Sequence, residues 1–278
     1  MRCAWKELLS ILPLWLRQEM GQKEQDNLQE IRLRINAPPE LITSEGTRWL
    51  VRKVSRDDLS QCVNNASRYS PWNATTIAQG YITAPGGHRI GLCGEAVCRN
   101  GLMTGIREVT SLCIRVARDF QGAAKLAANY SGSILILGAP GWGKTTLLRD
   151  LIRQLSDKGE HVAVVDERGE LFPKDSDFPQ GKCTDVLAGC GKAEGIEAVL
   201  RTMGPSCIAV DEITAKADCE CLIRAGWCGV RLLATAHAGS LWEFRSRQVY
   251  RPLAESCLFS TALVMKPDKS WSRERMDI

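Results

Sequence analysis

Several things that would fix the class of this 278-residue chain at once are scarce or missing. There are only three histidines and no C-x2-C pair among twelve cysteines. Cys93 and Cys98 are five apart and Cys219 and Cys221 two apart, spacings that argue against a zinc site. No stretch reaches 18 apolar residues, so no membrane-spanning helix is expected. Aromatics make up 6% of the chain and the formal net charge is only +4. Without an aromatic-rich basic stripe, nucleic acid is not expected as a partner. No secretory signal opens the chain, so the cysteines read as reduced thiols of a cytoplasmic protein rather than a disulfide framework. No internal repeat or low-complexity segment is visible.

What is present is an ordinary globular composition, 44% apolar and 24% charged. The length suits one large domain or two modest ones. Residues 3–16 carry an amphipathic helical pattern interrupted at Pro13, read as a packed N-terminal helix. "IRLRI" (31–35) alternates apolar and basic residues, as a half-buried strand does. "TRWLVRKV" is a second strand, and 57–70 reads as a helix with its N-cap near Ser55. From Gly80 to Arg118, short strands are joined by Gly-rich turns. These features predict an α+β domain over 1–118, a linker over 119–132 and a second domain over 133–278. In that second domain strands and helices alternate, as in a mostly parallel sheet with helices on both faces. The tail, "PDKSWSRERMDI", reads as polar and frayed.

The chemistry begins at "SILILGAPGWGKTTLLRDLIRQL" (133–155). Ile134 to Leu137 is an apolar run of strand length, suited to burial on both faces. Gly138, Gly141, Gly143, Lys144 and Thr145 then fit G-x-x-x-x-G-K-[ST]. Glycines let the backbone N–H groups converge on phosphate oxygens at the positive end of the following helix. Lys144 would reach the β- and γ-phosphates, and the Thr145 hydroxyl would ligate Mg2+. Leu147, Leu148, Leu151, Ile152 and Leu155 give that helix one apolar face.

Three further strands end in groups capable of chemistry. "CIAVDEIT" ends in Asp211, suited to holding Mg2+, and Glu212, suited to orienting water. "LLATAHAGS" ends at His237, which reads either as a γ-phosphate sensor or as a structural residue. "HVAVVDERGEL" ends in Asp166, Glu167, Arg168 and Glu170, a cluster that also suits a solvated loop.

The set "GAPGWGKTTLLRDL", "VVDERGEL", "RTMGPSCIAVDEI" and "LLATAHAGS", with "LQEIRLRINAPPELI" and "GYITAPGGHRIGLCGEAV…SLCIRVAR" before it, resembles the stage III sporulation protein AA family over nearly the whole chain. That family is similar to the ring ATPases of type II and type IV secretion and pilus systems. The resemblance implies a RecA-like P-loop ATPase domain behind an α+β domain, a homo-hexamer, and ATP with Mg2+ as cofactors. It also implies work at the channel complex between mother cell and forespore, on the mother-cell side, beside membrane proteins. Gly138, Ala139, Pro140, Gly141, Trp142, Gly143, Lys144, Thr145 and Thr146 fall on the Walker A loop. Trp142 is bulky but occupies a variable position. Asp211 and Glu212 fall on Walker B, Glu167 and Arg168 on the Asp box, and His237 on the His box. Glu167 is the alternative base should Glu212 not serve. Arg107, Arg115 and Arg118 fall where such ATPases place phosphate-contacting arginines, delivered through a Gly-containing connection near Gly122. Relatives carry a longer basic, glycine-containing C-terminal strand, which leaves any role of the tail open. Two other functions suit the same residues: a RecA-like motor on nucleic acid, and a nucleotide-gated scaffold with little turnover.

Overall fold

A computed structural model describes residues 2–67, 77, 80–173 and 176–276. The chain divides into two compact units, Met1–Asp119 with Pro173–Asp177, and Phe120–Phe172 with Phe178–Ile278.

In the first unit, β1 (Arg2–Cys3) pairs with β8 (Arg118–Asp119). The main sheet holds β2 (Leu28–Arg34), β3 (Glu40–Thr43), β4 (Gly46–Trp49), β5 (Tyr81–Thr83), β6 (Arg89–Arg99) and β7 (Leu102–Arg115). Its order is β4-β3-β2-β7-β6-β5, antiparallel throughout. Along β2 the apolar residues Leu28, Ile31 and Leu33 are buried while Arg32 and Arg34 are not, the period of a sheet with one covered face. Pro13, with no N–H to give, divides the N-terminal helix into α1 (Trp5–Ile11) and α2 (Leu14–Gln18). Leu8, Ile11, Leu12 and Leu16 join the core formed with Ile31, Leu33, Ile90 and Ile114. After α3 (Gln22–Asn27), helix α4 (Arg56–Ser67) opens on a reciprocal cap. Asp58 N–H donates to Ser55 Oγ at 3.1 Å and Ser55 N–H donates to Asp58 Oδ2 at 2.8 Å. The last residues of the expected helix, 68–70, lie outside the described residues. The strand expected over "TRWLVRKV" stops at Trp49.

The second unit has one seven-stranded sheet. Its strands are β9 (Ser133–Leu137), β10 (Val162–Asp166), β11 (Thr184–Ala188), β12 (Cys207–Val210), β13 (Arg231–Ala236), β14 (Phe259–Met265) and β15 (Trp271–Arg275). The order is β11-β10-β12-β13-β9-β14-β15, and every pairing is parallel except β14 with β15. The helices are α5 (Lys144–Asp157), α6 (Lys192–Thr202), α7 (Lys216–Trp227), α8 (Leu241–Ser246) and α9 (Arg251–Glu255). Alternate residues of β9 enter two different cores. Ile134 and Ile136 pack with Leu147, Leu148 and Leu151 of α5, whereas Leu135 and Leu137 pack with Ile196 of α6 and Leu222 of α7. A strand apolar at every position is what two covered faces require.

Two expectations need correction. The segment read as a linker belongs largely to the second unit: Ala124, Ala127 and Ala128 are buried there. Asp150 of α5 accepts from Gly122 N–H at 3.1 Å and Ala124 N–H at 2.7 Å, so this stretch is anchored, and Gly122 is not a free hinge. The tail is not frayed as far as Arg275. Trp271–Arg275 forms β15, because a seven-residue parallel strand, β14, offers it an unpaired edge.

Candidate active site

The sheet order brings the carboxyl ends of β10, β12, β13 and β9 side by side, where open α/β sheets place their chemistry. The turn after β9 depends on glycine. Gly141 and Gly143 have φ of +79° and +95°, and a Cβ on Gly138 would lie 2.8 Å from Met265 Cβ. Gly143 caps the N-terminus of α5, a helix of 14 residues. Of the remaining loop residues, Pro140 is exposed and Trp142 half-buried, Ala139 offers its carbonyl inward, and Thr146 lies in the first helical turn.

Lys144 is the pivot of the site. The residue is buried, and its ammonium group donates to Ala139 O at 3.0 Å and to His237 Nδ1 at 3.2 Å. Burial pushes the Lys144 pKa below its usual value, while the Asp211 and Glu212 carboxylates pull it back up. An ammonium group only donates, so Nδ1 of His237 carries the lone pair. The ring proton is then on Nε2, which donates to Glu212 Oε1 at 3.1 Å. Arg168 Nη1 donates to the other Glu212 oxygen at 2.7 Å. Lysine, histidine, glutamate and arginine form one continuous chain across four strand ends.

A second set of bonds fixes the acidic pair. Thr145 Oγ1 donates to Asp211 Oδ2 at 2.7 Å. Thr235 Oγ1 donates to Asp211 Oδ1 at 2.6 Å and accepts from Glu212 N–H at 2.8 Å. Glu212 holds φ of +50°, a left-handed conformation that costs a side-chain-bearing residue of order 1 kcal/mol or more. The Thr235 hydroxyl offsets that cost and aims the carboxylate at His237.

The β10 end divides its duties. Buried Asp166 accepts from the N–H groups of Glu170, Leu171 and Phe172 at 2.9, 2.9 and 3.0 Å. Burial raises its pKa and those three donors oppose the rise. Asp166 therefore shapes the loop that carries Glu167 and Arg168. Glu167 is hydrogen-bonded by Lys192 at the start of α6. The cluster is thus an organised loop, with Arg168 directed at Glu212 and Glu167 held by a lysine.

The other three arginines belong to the first unit and find partners there. Arg107 pairs with Glu95, and Arg115 lies 3.7 Å from Glu30. Arg118 donates to Leu28 O at 2.7 Å, Asp26 O at 2.8 Å, Gln25 O at 3.0 Å and Glu24 O at 3.3 Å, closing the end of α3. Two residues of the second unit's site escape the motifs. Thr235 signals itself only as a hydroxyl inside an apolar strand, two residues before His237 and so on the same face. Lys192 gives no sequence signal, since its role depends on where α6 starts beside β10.

Asp211 and Thr145 offer the hard oxygen atoms that Mg2+ takes. Gly138, Gly141 and Gly143 leave a cradle that side chains would fill. The residues present therefore fit a magnesium nucleotide. Among the described residues no helix is long and apolar enough to cross a membrane.

The family model for sporulation stage III protein AA matches residues 4–275. The stage III sporulation protein AA of Bacillus subtilis (strain 168) is 34% identical over 281 residues, which span 95% of this chain and 91% of that protein. Among solved structures, the Legionella pneumophila ATPase DotB aligns with a TM-score of 0.62 at 19% identity, over 95% of this chain and 80% of that one. The pilus retraction motor PilT, solved with bound ADP, aligns with a TM-score of 0.60 at 14% identity, over 96% of this chain and 81% of that one. At these identities the two likenesses establish the fold, that of RecA-like ATPases. Family match and relative together place the chain in the stage III sporulation protein AA family.

Proposed function

We propose that the chain is a Mg2+-dependent ATPase, a ring-forming motor of the secretion type that serves the sporulation channel complex. The observation that carries this reading is the convergence of Lys144, Thr145, Asp211, Glu212 and His237 at adjacent strand ends. In the roles assigned here, the glycine loop and Lys144 hold the phosphates, and Thr145 with Asp211 holds the metal. Glu212 takes the proton of the attacking water, and His237 reports whether Lys144 is engaged. Mg2+ would neutralise charge on the phosphate oxygens. Glu167, already bonded to Lys192, supports the loop and is the lesser candidate for base.

The family membership and the likeness to ATPase motors support a ring of identical chains, for which membrane proteins of the channel complex are the proposed docking partners and the mother cell the proposed compartment. An arginine from a neighbouring subunit would then complete each site. Arg107 and Arg115, both exposed, are the candidates, since Arg118 is committed to carbonyl groups. The nucleotide reading is tested by Lys144→Ala. Removing the charge that faces the phosphates is expected to abolish high-affinity ATP binding in a calorimetric titration. An unchanged affinity refutes the assignment.

A further inference from the structure

The β14–β15 hairpin approaches the glycine loop more closely than its sequence announces. Met265, the last residue of β14, packs against Gly138, and its Cε would lie 3.6 Å from a Cβ on Gly143. Lys269, in the turn that follows, would lie 4.0 Å from that Cβ through its own Cγ. The turn is closed by Lys269 N–H to Lys266 O and Lys266 N–H to Ser270 O, both at 2.9 Å. Asp268 accepts from Ser270, through N–H at 3.0 Å and Oγ at 2.7 Å. Its carboxylate is thereby engaged within the turn, and the Lys269 ammonium has no ion-pair partner among the described residues. Lys269 also holds φ of +66°, where glycine or asparagine would sit at less cost. Lys269 is exposed, and no carboxylate among the described residues holds it, so it is placed to meet an anionic ligand on the glycine loop beside it.

The sheet order gives the direction. Lys144, His237 and Glu212 assign the terminal phosphate to the β13 and β12 side of β9. The β14–β15 hairpin lies on the opposite side of β9, the side left to the remainder of a nucleotide whose terminal phosphate is seated in that way. We propose that Lys269 is a nucleotide-binding residue that contacts the α-phosphate of a nucleoside di- or triphosphate seated on the glycine loop. The inference rests on the nucleotide reading above and adds a residue outside its motifs.

Titration of the full chain with Mg-ADP and with Mg-ATP tests it, using Lys269→Gly, Lys269→Arg and Lys144→Ala. Because the α-phosphate is common to both ligands, Lys269→Gly is expected to weaken ADP and ATP by the same factor, about tenfold. The same variant is expected to melt higher, by about 2 °C, since it relieves the left-handed lysine. Opposite signs for affinity and stability exclude a merely structural role. Lys269→Arg is expected to keep most of the affinity. Wild-type affinity in Lys269→Gly, together with lost binding in Lys144→Ala, overturns this inference and leaves the nucleotide site standing. Absence of nucleotide binding by the unmodified chain overturns both.

Discussion

Thr235 does more at the residue scale than its size suggests. One hydroxyl donates to Asp211 and accepts from the backbone of Glu212, so it holds at once the two residues proposed as metal ligand and base. Thr235→Val keeps the shape and removes both bonds, leaving a half-buried carboxylate oxygen and an N–H without these partners. We expect hydrolysis to fall about tenfold or more while ATP affinity stays within a few-fold, because the lysine and the loop are untouched. Equal rates for the variant and the unmodified chain, measured at saturating ATP, would show that neither acidic residue depends on this anchor. The glycine turn between β9 and α5, with Lys144 at the start of the helix, is legible in the sequence because its glycines stand at fixed spacing. Thr235 was not, since its role depends on β13 lying beside β12, and a sequence pattern carries no strand order. The same holds for Glu167 and Arg168. Their spacing marked a charged cluster, but only the fold separates the one bonded to Lys192 from the one directed at Glu212.

At the scale of elements, strands and helices of the second unit follow from apolar runs and helical periodicity, whereas β15 does not. "WSRER" has the charge of a tail, and it becomes a strand because β14 presents an edge. The segment after Asp119 was misleading for the opposite reason: its small residues suggest a connector, yet Ala124, Ala127 and Ala128 fill space against α5. In the first unit a buried histidine ties α1 to the sheet. His88 accepts from Ala117 N–H on Nδ1 at 3.2 Å, so its Nε2 donates to Ala4 O at 2.8 Å. That neutral form is favoured by burial, which lowers the His88 pKa. A depressed histidine pKa means that the unfolded chain binds a proton before the folded one does. Stability is therefore full above the unfolded value of about 6.5 and declines as pH falls through the folded pKa. Denaturant titrations between pH 7.5 and 5, ranges of roughly that span around the unfolded value, are expected to show this loss, and His88→Gln to flatten it. A variant that starts less stable yet keeps the full slope would remove His88 as the cause.

For the whole molecule, the proposed working form is a ring of identical chains. Light scattering with and without a non-hydrolysable ATP analogue is expected to show assembly beyond the monomer when nucleotide is bound. In that ring Arg107→Ala or Arg115→Ala is expected to lower turnover by about 10³ if it supplies the completing arginine. Arg118→Ala is expected instead to cost about 2 kcal/mol of stability through the carbonyls it leaves at the end of α3. A chain that stays monomeric and fully active at every concentration would remove the ring. The central claim, that these strand ends hydrolyse ATP, is tested most directly by single-turnover phosphate release from Mg-ATP in the unmodified chain and in Glu212→Gln. The amide has the carboxylate's shape but cannot take a proton, so ATP is expected to stay bound while release slows by on the order of 10² or more. Release at the unmodified rate in Glu212→Gln, or none at all from the unmodified chain, would contradict the account.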